Sequence, residues 1–174
     1  KFSVNEILAC DIDHISAYNL QLEKGTPITA LSQYVADEDV QAKMYYTLCD
    51  MLAFAGYEHY EISNFAKKGF ESRHNLKYWH CEEYLGIGPS AHSFLGGKRF
   101  YFERDFDSFI NGTSPIPDGD GGDEEEYIML ALRLAEGLCK DKYKERFGKE
   151  FDEKIINRAR TLEKEGLVTV AEDR

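Results

Sequence analysis

Residues 60–94 read YEISNFAKKGFESRHNLKYWHCEEYLGIGPSAHSF, and the rest of the chain is organised around this stretch. It contains three of the five histidines, the single tryptophan and a turn rich in glycine. Most of it matches neither the period of an amphipathic helix nor the alternation of a strand. A long ordered loop of this composition more often carries function than packing, so we expect the functional residues here.

The residues before this stretch predict a strand, a helix and a second strand. HISAYNLQL, from His14 to Leu22, alternates in the manner of a strand. Asp37 stands where an N-cap would, and Gly56 is placed to end the helix that follows. The apolar side chains of this helix recur every three or four residues, at Val40, Met44, Leu48, Met51 and Ala55. YEHYEIS, residues 57–63, predicts the second strand. Because a strand that returns through a helix is the repeat of a parallel sheet, we expect parallel pairing.

After the opening stretch the pattern changes from strands to helices. Residues 100–104 predict a short strand and residues 105–111 a short helix. Residues 113–122 are rich in Pro and Gly and predict a linker. The remaining segments predict three helices and a final strand: Asp123–Leu138, Lys142–Phe147, Asp152–Glu165 and Leu167–Val170. The sequence therefore predicts an α/β domain over residues 1–112 and a small winged-helix-like helical domain over residues 123–174.

Composition and charge exclude several classes of function. The formal net charge is −11 and the isoelectric point about 4.9, whereas nucleic-acid binding needs a basic surface. No apolar run approaches the roughly 20 residues of a membrane span, so we expect a soluble protein. The four cysteines lie far apart, which favours free thiols in a reducing cytoplasm over disulfides. The chain opens with Lys1 rather than Met, and we expect further residues to precede it.

The segment Arg73–Trp79 carries the chemistry that the sequence singles out. An imidazole at His74 stands beside the amide of Asn75, and two adjacent aromatic residues, Tyr78 and Trp79, follow. A planar apolar ligand with a metal at its centre would need this mixture of flat rings and one coordinating nitrogen. The alternative is that His74 and Asn75 tie down the loop while the two rings fill the core, and composition alone favours this alternative.

Three other sites are weakly indicated. Residues 86–91, GIGPSA, imitate a dinucleotide fingerprint, but a proline interrupts it, so we expect a tight turn that brings backbone close to a ligand or a strand. His92 and Ser93 follow without an acid at a defined spacing, which does not support a catalytic triad. A zinc site could be assembled from His74, His80, Cys81 and His92, but the short repeated ligand spacing is missing.

Several blocks of sequence together resemble one known family. HISAYNL (14–20), YEHYEISNFAKKG (57–69), ESRHNLKYW (71–79) and EYLGIGPSAHSF (83–94), in this order and spacing, resemble the oxygen-independent coproporphyrinogen III oxidase-like proteins of the radical S-adenosylmethionine superfamily. The resemblance covers most of residues 10–112. HNLKYW matches the HNxxYW pattern of the family's haem-chaperone branch, which its porphyrinogen-decarboxylating branch is not expected to have.

The resemblance implies a fold, a site and a missing part. It implies the last strands and helices of a partial (β/α) barrel over residues 1–112, with His74 as an axial haem ligand and Asn75, Tyr78 and Trp79 shaping the pocket. The family's CxxxCxxC loop, whose thiolates hold a [4Fe–4S] cluster that binds S-adenosylmethionine, is absent from this sequence. We therefore expect the C-terminal part of a longer protein, with no catalytic residue of its own and no cleavage of S-adenosylmethionine when alone.

Three hypotheses about function follow. The first is that the complete protein binds haem and delivers it to haem-accepting proteins. The second is that it is a coproporphyrinogen III dehydrogenase, which decarboxylates its porphyrinogen substrate oxidatively to protoporphyrinogen IX in haem biosynthesis. The third is that this chain is scaffold only, and that every ligand binds upstream of it.

Overall fold

The chain forms a mixed α/β structure with two compact units. The computed structural model describes residues 1–171, so the last three residues of the predicted helical domain, 172–174, lie outside the described part. The first unit spans Lys1–Ser72 and the second begins at Arg73. Within residues 1–171 no helix is both long enough and apolar enough to cross a membrane.

The first unit is built on a three-stranded sheet. Its elements are α1 (Phe2–Leu8), β1 (His14–Ser16), a 3₁₀ helix (Pro27–Tyr34), α2 (Glu38–Phe54), β2 (Glu58–Glu61) and β3 (Asn64–Ala66). The strand order is β1-β3-β2, and β3 is antiparallel to both neighbours. The predicted parallel pairing of the two strands flanking α2 is therefore wrong. β3, which was expected to be loop, lies between them and satisfies the backbone groups of both.

Helix α2 begins and ends where the sequence predicted. The carboxylate of Asp37 accepts a hydrogen bond of 2.9 Å from the backbone N–H of Val40, and Gly56 follows the helix with a φ of 86°. The predicted apolar stripe is largely uncovered, since Val40 and Met44 are 45% and 63% exposed. The helix instead buries Leu52, which packs in a core with Ile15, Tyr57 and Phe65.

Over residues 73–171, the second unit contains another antiparallel sheet and five helices. Its elements are α3 (Arg73–Trp79), β4 (His92–Leu95), β5 (Lys98–Tyr101), α4 (Phe106–Ile110), β6 (Ile116–Asp120), α5 (Glu124–Ala131), α6 (Lys140–Phe147) and α7 (Glu153–Lys164). Gly96 and Gly97 join β4 to β5 in a two-residue turn, with φ values of 58° and 72° that suit glycine. The stretch predicted to be a linker contains β6, which pairs with β5 despite Pro117 and Gly119.

The three predicted C-terminal helices are present as α5, α6 and α7, and two features differ clearly from the prediction. Asp123 caps α5 through the N–H of Glu126, but the helix ends at Ala131 rather than at Leu138. Residues 167–170, predicted to be the final strand, are not in a strand, so the wing of the predicted winged helix is not formed there. The core of this unit consists of Cys81, Phe94, Tyr127 and Tyr143, and it joins the sheet to α5 and α6.

Candidate functional site

The HNLKYW motif lies on a helix. Residues Arg73–Trp79 form α3, whereas the sequence predicted a loop. In a helix, residues four positions apart share a face, so His74 and Tyr78 lie side by side. None of the seven residues of α3 is fully buried, and the helix exposes Arg73, His74 and Lys77 at the surface of the second unit.

His74 is exposed, and within residues 1–171 its ring is held by a side chain rather than by main chain. Its Nε2 lies 3.1 Å from the hydroxyl oxygen of Tyr78, and the two ring centroids are 4.9 Å apart at an interplanar angle of 88°. The tyrosine ring therefore supports the imidazole edge to face. A neutral imidazole in this position can bond a metal ion once the phenol moves aside.

The other three predicted site residues are half-buried and differ in their surroundings. Tyr78 also packs edge to face on Tyr84, with 4.6 Å between the ring centroids. The indole of Trp79 lies under the guanidinium of Arg133, whose carbon is 4.3 Å from the ring centroid. The indole N–H is buried and has no hydrogen-bond partner among the described residues, at a cost of about 1–3 kcal/mol. Asn75 lies beside His74 on the same short helix.

A small cavity lies beside Tyr78. Its volume is about 190 Å³, and its lining includes Tyr78, Cys81, Tyr84, Phe94 and Arg99. Pockets that enclose drug-sized ligands measure about 300–1,000 Å³, so this cavity does not enclose a porphyrin. A porphyrin held by His74 would instead lie across the exposed surface of α3.

The polar groups beside this cavity are paired with each other. Arg99 forms an ion pair with Glu126 and also donates a hydrogen bond of 3.3 Å to the hydroxyl of Tyr84. Burial raises the pKa of the Cys81 thiol, an effect that outweighs the nearby cation of Arg146. Cys81 is therefore a neutral, inert thiol, in keeping with the four free cysteines of the chain.

The remaining histidines of the opening stretch are engaged elsewhere. His80 Nε2 lies 2.7 Å from the carboxylate of Glu136, and His92 stacks on Tyr101 with its Nδ1 3.4 Å from Asp118. Across the part of the chain that the structure describes, no group of three or more His, Cys, Asp or Glu residues could hold a metal ion. The zinc site considered from the sequence (His74, His80, Cys81 and His92) is therefore not assembled.

The glycine-rich turn brings backbone close to a strand, as predicted. A Cβ on Gly86 would lie 2.2 Å from the carbonyl oxygen of His92, so only glycine fits at this position. Two hydrogen bonds of 2.9 Å between the backbones of Tyr84 and Phe94 close the same turn. The turn packs its backbone against strand β4. It is not followed by a helix, as the phosphate-binding turn of a dinucleotide fingerprint would be.

Three residues that contact the end of α3 were not found by sequence reasoning. Arg133 covers Trp79, Glu136 bonds His80, and Arg146 donates a hydrogen bond of 3.0 Å to the carbonyl oxygen of Cys81. They lie more than fifty positions from their partners, and no local pattern marks them. Their common feature is that all three lie in the C-terminal helical segment.

Comparison with known proteins gives the class of protein to which this fold and site belong. Residues 124–174 match the family model described as the HemN C-terminal domain. The solved structure of coproporphyrinogen III oxidase (HemN) from Escherichia coli, described as a radical SAM enzyme, matches 99% of this chain and 46% of that chain, with a TM-score of 0.70 at 16% identity. This likeness shows the fold. The chain belongs to the HemN/HemW-like family of radical S-adenosylmethionine proteins and carries the family's C-terminal domain.

The curated relatives are more specific. The protein named "Heme chaperone HemW" of Bacillus subtilis strain 168 is 33% identical over 95% of this chain and 47% of its own length. The protein of the same name from Lactococcus lactis strain IL1403 is 33% identical over 87% of this chain and 43% of its own length. The chain thus spans about half the length of the curated relatives it matches.

Proposed function

We propose that this chain is the haem-binding part of a haem chaperone, and that the complete protein delivers haem to haem-accepting proteins. The observation that carries the proposal is the exposed imidazole of His74 on α3, supported at its Nε2 by one phenol and not by main chain. The names of the curated relatives, which match 95% and 87% of the chain, support it.

Haem is the cargo in this proposal: His74 would bond it, and Asn75, Tyr78 and Trp79 would shape its pocket. His74 Nε2 bonds the iron after the hydroxyl of Tyr78 moves aside. The ring of Tyr78 stays beside the imidazole, and Asn75 stands next to His74 on the same helix. Trp79 shapes the site indirectly, because its ring is already covered by Arg133.

The cofactors of the family do not fit the residues of this chain. The thiols nearest in sequence, Cys49 and Cys81, are 32 positions apart, and Cys81 is buried. A [4Fe–4S] cluster needs several thiolates converging on one point. We therefore place the cluster and S-adenosylmethionine in a part of the complete protein upstream of this chain.

Three finer assignments belong to the same proposal. We propose that residues 1–112 contribute the last strands and helices of a partial (β/α) barrel, which the likeness to coproporphyrinogen III oxidase over 99% of the chain supports. We propose a winged-helix-like arrangement for residues 123–174, supported by the helices α5, α6 and α7 but not by a wing strand. A cytoplasmic location is proposed from the four free thiols.

The test is a haem titration of the full-length protein. We expect His74→Ala to weaken binding at least tenfold, by roughly 1.4 kcal/mol or more, and to change the Soret spectrum. His92→Ala removes another exposed histidine of the second unit and serves as the matched control, with binding unchanged. Equal spectra and equal affinities for the His74 variant and the parent protein would exclude His74 as the axial ligand.

Two further measurements separate the rival functions. Sustained formation of protoporphyrinogen IX from coproporphyrinogen III, by anaerobic protein reconstituted with its cluster, would replace the chaperone proposal with the dehydrogenase hypothesis. Haem binding by residues 1–174 alone would exclude the scaffold hypothesis, since that hypothesis places every ligand upstream.

A further inference from the structure

We propose that the C-terminal domain sets the position of the haem-binding histidine through a clamp on the end of α3. The clamp is defined as three residues that contact three consecutive residues: Arg133 on Trp79, Glu136 on His80 and Arg146 on Cys81. Arg133, Glu136 and Arg146 are therefore positioning residues and not haem ligands. This inference rests on the proposed function and adds a role for residues outside the HNLKYW motif.

The geometry of the three contacts fixes the end of the helix. The guanidinium carbon of Arg133 lies 4.3 Å from the centroid of the Trp79 ring, which restrains that face of the indole. The carboxylate of Glu136 lies 2.7 Å from His80 Nε2 and is itself held by Lys142 at 2.8 Å. Arg146 bonds main chain rather than a side chain, so it holds the backbone directly.

The helix needs such support. α3 has seven residues, none of them fully buried, and a helix of this length is not stable by itself in water. His74 and Tyr78 lie on the same helix, so a rotation of α3 about its axis would carry both rings together and away from Tyr84, on which Tyr78 packs. His80 and Cys81 directly follow the helix, and their backbone N–H groups donate hydrogen bonds of 2.8 and 3.0 Å to the carbonyl oxygens of Leu76 and Tyr78. Holding these two residues therefore holds the last turn of α3 and resists that rotation.

The HNLKYW motif therefore divides into two parts. His74 and Tyr78 lie on one face, where the imidazole is exposed. Trp79 lies under Arg133, with its indole nitrogen buried, so it serves as the anchor of the motif. Since the anchor's partner is in the C-terminal domain, the domain and the haem site act as one unit.

The experiment is a double-mutant cycle on the full-length protein, read by haem titration and by the Soret spectrum. We expect Arg133→Met to weaken haem binding by about three- to tenfold, in line with the strength of a cation–π contact. Arg133→Lys, which keeps a cation over the ring, should recover most of the loss. Arg160→Met removes an exposed arginine of the same domain and should have no effect.

The cycle separates positioning from simple destabilisation. If Arg133 acts through His74, then adding Arg133→Met to His74→Ala weakens binding no further. Additive losses, or haem binding unchanged by Arg133→Met, would overturn the clamp while leaving His74 as the ligand. No effect of His74→Ala in either background would instead overturn the proposed function. Should Arg133→Met fail to fold, Trp79→Phe replaces it in the cycle, with the same expectations at smaller magnitude.

Discussion

The hydroxyl of Tyr78 lies 3.1 Å from Nε2 of His74, one helical turn earlier, and their rings meet at 88°. This relationship gives the imidazole a defined orientation before any ligand arrives. It also occupies the nitrogen that we propose to bond the haem iron, so the phenol and the iron compete for the same atom.

Tyr78→Phe should therefore tighten haem binding. The variant keeps the supporting ring but removes a hydrogen bond worth about 0.5–1.5 kcal/mol, which corresponds to roughly two- to tenfold in affinity. The measurement is a haem titration of the full-length protein beside the parent. Weaker binding by the variant would mean that the hydroxyl assists the iron–imidazole bond and does not compete with it.

Two residues of α2 should differ sharply in how much their replacement by alanine destabilises the first unit. Leu52 has no exposed surface, whereas Phe54, two positions later, is 97% exposed. We expect Leu52→Ala to lower the free energy of unfolding by about 2–5 kcal/mol, since it leaves a cavity. Phe54→Ala should stay within about 0.5 kcal/mol of the parent. Urea unfolding followed by circular dichroism measures both, and similar losses for the two would contradict the packing of α2.

Tyr143 predicts how stability changes at alkaline pH. Burial raises the pKa of Tyr143 to about 12, and its hydrogen bond to Glu124 acts in the same direction. An unfolded tyrosine has a pKa of about 10, so folding favours the neutral phenol. That contribution is complete below about pH 10 and is lost as the pH rises towards about 12.

Tyr143→Phe removes this titration. We expect the parent protein to be more stable than the variant at neutral pH and this difference to narrow between about pH 10 and about pH 12. Urea unfolding followed by the fluorescence of Trp79, which lies in the same unit, gives the comparison. Tyr34→Phe, at a residue that is 76% exposed, is the control whose difference from the parent should not change with pH. A constant difference for Tyr143→Phe would contradict the raised pKa.

The position of Gly86 leads us to expect that adding a single methyl group there lowers the stability of the fold. Its added Cβ would lie 2.2 Å from a backbone oxygen, that of His92, so the turn must open to accommodate alanine. We expect Gly86→Ala to cost about 1–3 kcal/mol or more, as overpacking does. Leu85→Ala, at a neighbouring residue that is 60% exposed, should be nearly neutral. The midpoint of thermal unfolding is measured for both variants and the parent protein. An unchanged midpoint for Gly86→Ala would show that the turn has room for a Cβ.

The parts of the fold that depend on local chemistry were predictable. Asp37 and Asp105 cap their helices through backbone N–H groups three residues on, because a short acidic side chain reaches no other donors as easily. Gly148 ends α6 in the left-handed conformation that glycine tolerates best. The close approach at Gly86 was also expected from its composition.

The parts that depend on distant partners were not predictable. β3 and β6 are three and five residues long, too short for a periodic signal, and Pro117 argues against a strand. α3 was missed because seven residues do not show two turns of an apolar repeat. The contact of Arg133 with Trp79 joins a residue in the turn after α5 to the last residue of α3, and no local sequence pattern marks either one. The choice of His74 came from the family pattern and stays a prediction.

The two-residue turn between β4 and β5 bears on the order in which the chain folds. Leu95 and Lys98 can pair as soon as that turn closes. The pairing of β1 with β3 instead requires Ser16 to contact Asn64, which lies 48 residues later in the chain. Closing a short loop costs less entropy than closing a long one, so the second sheet should start to form first even though it is synthesised last. Pulse-labelling hydrogen exchange would reveal this as early protection of β4 and β5 amides, ahead of those in β1.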